Sequence, residues 1–152
     1  GNAVALMNLL RLHAVTLEPA FLERAQKGFT ALSAVMESNP LAFGETLLAY
    51  DDWLHPPGQV IVVTPVDGQA AAWVDRLRST YLPGCLAMVV PEASMADLSR
   101  RYALFRDKAV VDGRATILYS SGQGFKEYTH TWDLFCCGVR AGDRMIAARL
   151  AP

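Results

Sequence analysis

The stretch ILYSSGQGFKEYTHTWDLFCCGV, residues 117–139, gathers most of the reactive side chains of this sequence. His130 stands between two threonines, Ser121 and the adjacent Cys136 and Cys137 could supply a nucleophile, and Glu127 or Asp133 could orient an imidazole. Three chemistries use such residues: a metal site, a thiol redox pair, or a thiol or hydroxyl nucleophile with its base.

Spacing argues against each. A structural zinc site takes four ligands, with cysteines usually about two to four positions apart so that both sulfurs reach one ion. Cys136 and Cys137 are neighbours and diverge on most backbones, and His130 is the only histidine near them. A redox pair is normally Cys-x-x-Cys at a helix start, where the dipole lowers the thiol pKa; the sequence has none. Catalytic sets come from several elements, and closeness in sequence is not geometry. The expectation is therefore no metal, no cofactor and no catalysis at Cys136 and Cys137, which read as small apolar residues. Cys85 opens an apolar run, CLAMVV, and reads as a core residue.

Other candidates resolve the same way. The segment TPVDGQ, residues 64–69, could present backbone amides to a phosphate. It has one glycine where a dinucleotide fingerprint has three, and it lacks the P-loop lysine, so it reads as a plain strand-to-helix turn. Asp67 there is a favourable charge near a helix start. Glu45, Asp51 and Asp52 could serve glycoside chemistry as paired carboxylates, but consecutive positions on a helix face different ways. His13 reads as a helix-end residue and His55 as a linker residue.

The elements behind these residues fall into two rhythms. Residues 1–55 carry helical spacing three times over. Asn2 is placed to cap the first helix, whose Val4, Leu6, Met7, Leu9, Leu10 and Leu12 spread round most of its circumference and demand cover. The second opens at Glu18-Pro19, buries Leu22, Ala25, Phe29, Leu32 and Met36, and stops at Asn39-Pro40. The third runs from about Leu41 to Leu54 and ends at His55-Pro56-Pro57-Gly58.

From residue 56 to 121 the rhythm is strand, helix, strand, helix, strand. QVIVVTP, CLAMVVPE and RATILYSS are the strands, the first two buried on both faces. Between them lie one helix turning Ala70, Trp73, Leu77 and Tyr81 inward and another, capped by Ser94, burying Met95, Leu98, Tyr102 and Phe105. This order predicts a mixed α/β fold: a helical hairpin layer, then a small, mostly parallel three-stranded sheet with right-handed crossovers. Residues 122–152 show poor periodicity and read as an irregular tail.

The 152 residues suit one ordinary domain with its own core. At 52% hydrophobic and 19% charged the composition is apolar for a free-standing domain, which again points to cover from elsewhere. Net charge is −1, with no basic stripe, so no nucleic-acid partner is expected. The longest apolar runs fall far short of the roughly 18–20 residues that span a bilayer, so no membrane partner is expected. No signal peptide is read, and three cysteines make no disulfide framework, so a reducing cytoplasm is the expected location.

Taken in order, GNAVALMNLLRL, ERAQKGFTALSAVMESNPLAFGETLLAYD, PPGQVIVVTP, YLPGCLAMVV and DKAVVDGRATILY carry a family likeness. Over about residues 1–119 the chain resembles the C-terminal part of the thioredoxin-domain-containing proteins of the bacterial and spermatogenesis-associated type. There a thioredoxin-like domain precedes a barrel of helical hairpins similar to six-hairpin glycosidases and acylglucosamine epimerases. The resemblance implies that residues 1–55 are helices from the end of an α/α barrel, and that Gly1 and Asn2 line a pocket. It also implies carbohydrate binding or modification in the full-length protein, with a sugar ligand and no complete active site in this segment. The family's final strand ends in a cysteine, with a second a few residues on; here those places hold Ser120 and then Phe125 and Lys126. The partner expected is the missing N-terminal barrel or a second copy of the chain. Two other readings stay open: an interaction module docking through its apolar first helix, and a small nucleotide-binding domain, against which the absent phosphate fingerprint counts.

Overall fold

The structure, a computed structural model, describes residues 1–65, 67–82 and 84–120, with the backbone alone at Asp67, Gly68 and the strand Phe125–Tyr128. Two compact units divide it, one built from Gly1–Pro56 with Tyr102–Leu104, the other from Pro57–Arg101 and the chain from Phe105 onward.

The first unit holds three helices: α1 (Asn2–Thr16), α2 (Pro19–Ser38) and α3 (Gly44–Leu54), the last preceded by a 3-10 turn over Pro40–Phe43. Asn2 is not the cap that its residue type promises. Gly1 is the N-cap, its carbonyl accepting from the Ala5 amide at 3.3 Å, and no side chain caps the helix. The helix starts one residue earlier than the sequence indicates, which puts Asn2 in its first turn. α1 ends on Leu17 in the left-handed region (φ 60°), whose amide donates to the His13 carbonyl at 2.8 Å. The His13 Nδ1–H then donates to the Glu18 carbonyl at 3.0 Å, tying down the turn into α2. Pro19 opens α2 and Asn39 closes it, as read.

The core of this unit is Leu6, Ala25, Phe29 and Ala49, all buried, with Met7, Leu9, Leu10, Leu32, Tyr50 and Trp53 packed round it. Phe29 is its pivot. Trp53 stacks on its ring at 5.5 Å and 22°, and Tyr50 meets it edge-on at 5.3 Å and 80°. Such aromatic pairs add about 0.5–1.5 kcal/mol each beyond the area they bury. Ala25 and Ala49 leave no exposed surface, so the helices close tightly there.

The second unit is a four-stranded sheet in the order β2-β1-β3-β4, with β1 Gly58–Thr64, β2 Cys85–Pro91, β3 Thr116–Ser120 and β4 Phe125–Tyr128. The α/β class is as expected. β1 and β2 pair in parallel, Gly58 opposite Cys85 and Thr64 opposite Pro91, with α4 (Asp67–Ser79) as the connection. β3, however, runs antiparallel to β1, with Val63 opposite Thr116 and Gln59 opposite Ser120, so the sheet is mixed and not mostly parallel. The cause lies between α5 (Glu92–Arg101) and β3. The second helix ends at Arg101 instead of running on to Phe105, and the chain enters β3 at Thr116, opposite Val63 near the end where β1 closes. Asp112 and Gly113, both at positive φ, make the reversal, and Val111 bridges Arg114. The Thr116 hydroxyl accepts from the Val111 amide at 2.9 Å and donates to the Arg114 carbonyl at 3.1 Å, fastening the turn to the strand.

β4 lies within the stretch read as irregular. It pairs antiparallel with β3, Ile117 opposite Tyr128 and Ser120 opposite Phe125; four residues are too few to show a period. Ser94 is inside α5 and not its cap, because the helix begins directly at Glu92. Val60–Val63 are fully buried, matching a strand covered on both faces, whereas β2 is the edge of the sheet among the described residues and only Val90 is buried along it. Val60, Val62 and Ile117 form the core facing α4, joined by Trp73, Leu77, Leu82, Cys85, Val89 and Tyr119. Tyr81 does not turn inward; it lies beyond the end of α4 and is 75% exposed.

Candidate functional site

Most of the residues proposed for chemistry fall where the structure does not describe side chains. Ser121, His130, Asp133, Cys136 and Cys137, and the side chains of Phe125, Lys126 and Glu127, lie outside the described residues. Among the described residues no three of His, Cys, Asp and Glu come together as a metal-holding group. Asp51 and Asp52 diverge as their spacing requires, Asp51 exposed and Asp52 half-buried. The His55 Nδ1–H donates to Asp51 Oδ1 at 3.0 Å with both side chains more than two-thirds exposed, a solvated contact of the kind worth little energetically.

Gly1 and Asn2 stand exposed at the start of α1. A shallow depression elsewhere in the unit is lined by Glu23, Gln26, Lys27, Thr30 and Ala31. All five belong to α2, and one helix surface encloses no ligand.

In the second unit the Cys85 thiol is half-buried against the core, and burial pushes its pKa up. A raised pKa withholds the thiolate at neutral pH, so Cys85 is a packing residue and a poor nucleophile. At the carboxyl end of β1 the Thr64 hydroxyl is buried without a hydrogen-bond partner among the described residues. Nothing in the sequence marks it, since a threonine closing a valine-rich strand is ordinary β chemistry. Val66 and the Asp67 side chain, on the turn that follows, lie outside the described residues.

What the molecule does present is apolar surface on helices. α1 seals Leu6 inside the unit and half-buries Met7, Leu9 and Leu10, which leaves Val4 (51%) and Leu12 (44%) outward. Leu6 and Leu9 belong to the inner side, and the opposite side of α1 is the one left exposed. On α3 Leu47, Leu48 (61%) and Leu54 (54%) are outward as well. This second face was missed, although the spacing of Leu47, Leu48 and Leu54 contained it: Thr46, Ala49, Tyr50 and Trp53 already supply an inner face, so these leucines had to lie elsewhere. Each large apolar side chain left in water forgoes about 1.5–3 kcal/mol of burial energy.

No helix among the described residues is long and apolar enough to cross a membrane. No family model matches the chain, and no curated protein or solved structure is significantly similar to it.

Proposed function

We infer that this chain is a docking segment, not a self-contained catalyst. The observation that carries the reading is the outward placement of Val4, Leu12, Leu47, Leu48 and Leu54 on helices whose own core is already complete. An exposed apolar surface of this kind marks a contact with something else. In the reading we favour, that something is a set of helical hairpins preceding Gly1, and the chain is the C-terminal portion of a thioredoxin-domain-containing, six-hairpin-barrel protein. The succession of segments from GNAVALMNLLRL to DKAVVDGRATILY supports it. Carbohydrate binding or modification would then belong to the whole barrel, with Gly1 and Asn2 near its pocket and a reducing cytoplasm as its location.

The coding sequence upstream of Gly1 tests this. Helical hairpins there, and a thioredoxin-like domain before them, are expected; a sugar-library thermal shift on the longer chain then reads its ligand. An upstream sequence without helical periodicity would contradict the barrel. The second reading is a non-enzymatic module that docks or dimerises through α1, and the same outward residues favour it.

A further inference from the structure

Two outward faces of the first unit carry opposite charge. On α1 the side turned away from Leu6 holds Val4, Asn8, Arg11 and Leu12, related by steps of three, four and seven. Arg11 is the only Lys or Arg of that helix, which contains no acidic residue. On α3 the side turned away from Ala49 holds Leu47, Leu48, Asp51 and Leu54. Asp51 lies three or four positions from each of these leucines, so its carboxylate stands among them. α3 contains Glu45, Asp51 and Asp52 and no Lys or Arg.

Arg11 and Asp51 do not neutralise each other within one chain. The partner of Asp51 is His55, and Arg11 has no ion pair among the described residues. α1 and α3 meet through their inner sides, round Leu6 and Ala49, which leaves both charges facing away. Each face therefore offers what the other lacks: an apolar stripe broken by one cation, and an apolar stripe broken by one anion.

We propose that a second copy of this chain covers these faces, α1 of each copy lying on α3 of the other, with Arg11 of each against Asp51 of the other. A two-fold axis makes both contacts at once and closes the assembly, so one sequence supplies both halves of the complement. This deepens the second reading above and rests on the outward faces being docking surfaces.

The pairing rule makes a test that a generic sticky patch would fail. Arg11→Glu and Asp51→Arg each place like charges against one another at both contacts of a homodimer. Each variant alone should bind itself at least about tenfold more weakly than the wild type. Mixed together, they should form a one-to-one heterodimer. One contact then pairs the introduced Glu at position 11 with the introduced Arg at position 51, and the other keeps the original pair. The combined Arg11→Glu/Asp51→Arg chain should regain its homodimer. Analytical ultracentrifugation reads the masses, and circular dichroism confirms that each variant is folded; Arg11→Gln and Asp51→Asn serve if a reversal unfolds the chain, each expected to weaken self-association. A monomeric wild type, single variants that dimerise like the wild type, or a mixture that stays monomeric would each overturn the proposal. A chain monomeric alone but bound by the preceding hairpins overturns it while leaving the barrel reading intact.

Discussion

Leu6 and Gly28 occupy one another's space: a Cβ built on Gly28 would stand 2.5 Å from Leu6 Cδ2. α1 and α2 approach this closely because Gly28 carries no side chain, and Leu6, 4% exposed, fills the gap. Gly28→Ala gains up to about 1 kcal/mol of helix propensity but overpacks a closed core, which costs about 1–3 kcal/mol. The expected sum is a loss of about 1 kcal/mol in urea unfolding. In a Leu6→Ala background the obstacle is gone, and the same substitution should stabilise. A Gly28→Ala chain more stable than the wild type would mean that the helices do not interlock here.

Leu17 should be improvable. It closes α1 at φ 60° with 45% of its surface exposed, a conformation that costs a branched side chain about 1–2 kcal/mol. Leu17→Gly removes that strain and should raise stability by about 0.5–1 kcal/mol. An unchanged or lowered midpoint would place the strain elsewhere.

Amide exchange should rank the strands. β1 is central, paired on both sides, with Val60–Val63 fully buried, and its amides should exchange slowest. Among the described residues β2 pairs on one side only, so its amides should alternate between protected and faster-exchanging along Cys85–Pro91. Uniformly slow exchange across β2 would place another strand against it.

Cys85 should react slowly and late in pH. Burial raises its thiol pKa in the folded state, so the neutral thiol is the favoured form. The stabilisation this gives is present below the unfolded thiol's pKa and is lost as pH rises through the raised folded value. In a Cys136→Ser/Cys137→Ser background, the alkylation rate of Cys85 should rise with pH along a curve displaced upward from that of the unfolded chain. Coincident curves would show the thiol to be solvated.

These four relationships also show which parts of the structure the residues announced. The starts and stops of α2 were legible because Pro19 and Asn39-Pro40 are local devices, and β1 was legible because an unbroken valine run admits few alternatives. The direction of β3 was not. Strand polarity depends on how the chain travels between Arg101 and Thr116, and that path is set by the positive-φ pair Asp112-Gly113 and the Thr116 hydroxyl, which leave no hydrophobic period. The need to cover α1 could be read from its all-round apolar pattern, but which side needed cover was settled by Gly28, on a different helix. The reactive cluster of residues 121–137 lies outside the described residues, apart from the backbone of Phe125–Tyr128.

The claim that a second copy of the chain covers the outward faces is tested most directly by the mass of the isolated chain in solution. Val4 and Leu12 are exposed, so Val4→Glu/Leu12→Glu should leave the fold intact, unlike Leu6→Glu, which would bury a charge beside Gly28. Sedimentation equilibrium over a concentration series should give the wild type a mass rising above the 16.6 kDa of one chain. The Val4→Glu/Leu12→Glu variant, with unchanged circular dichroism, should stay at that one-chain mass. A wild type that remains at 16.6 kDa at every concentration and is indistinguishable from the variant would contradict self-association and leave only the preceding hairpins to cover these faces.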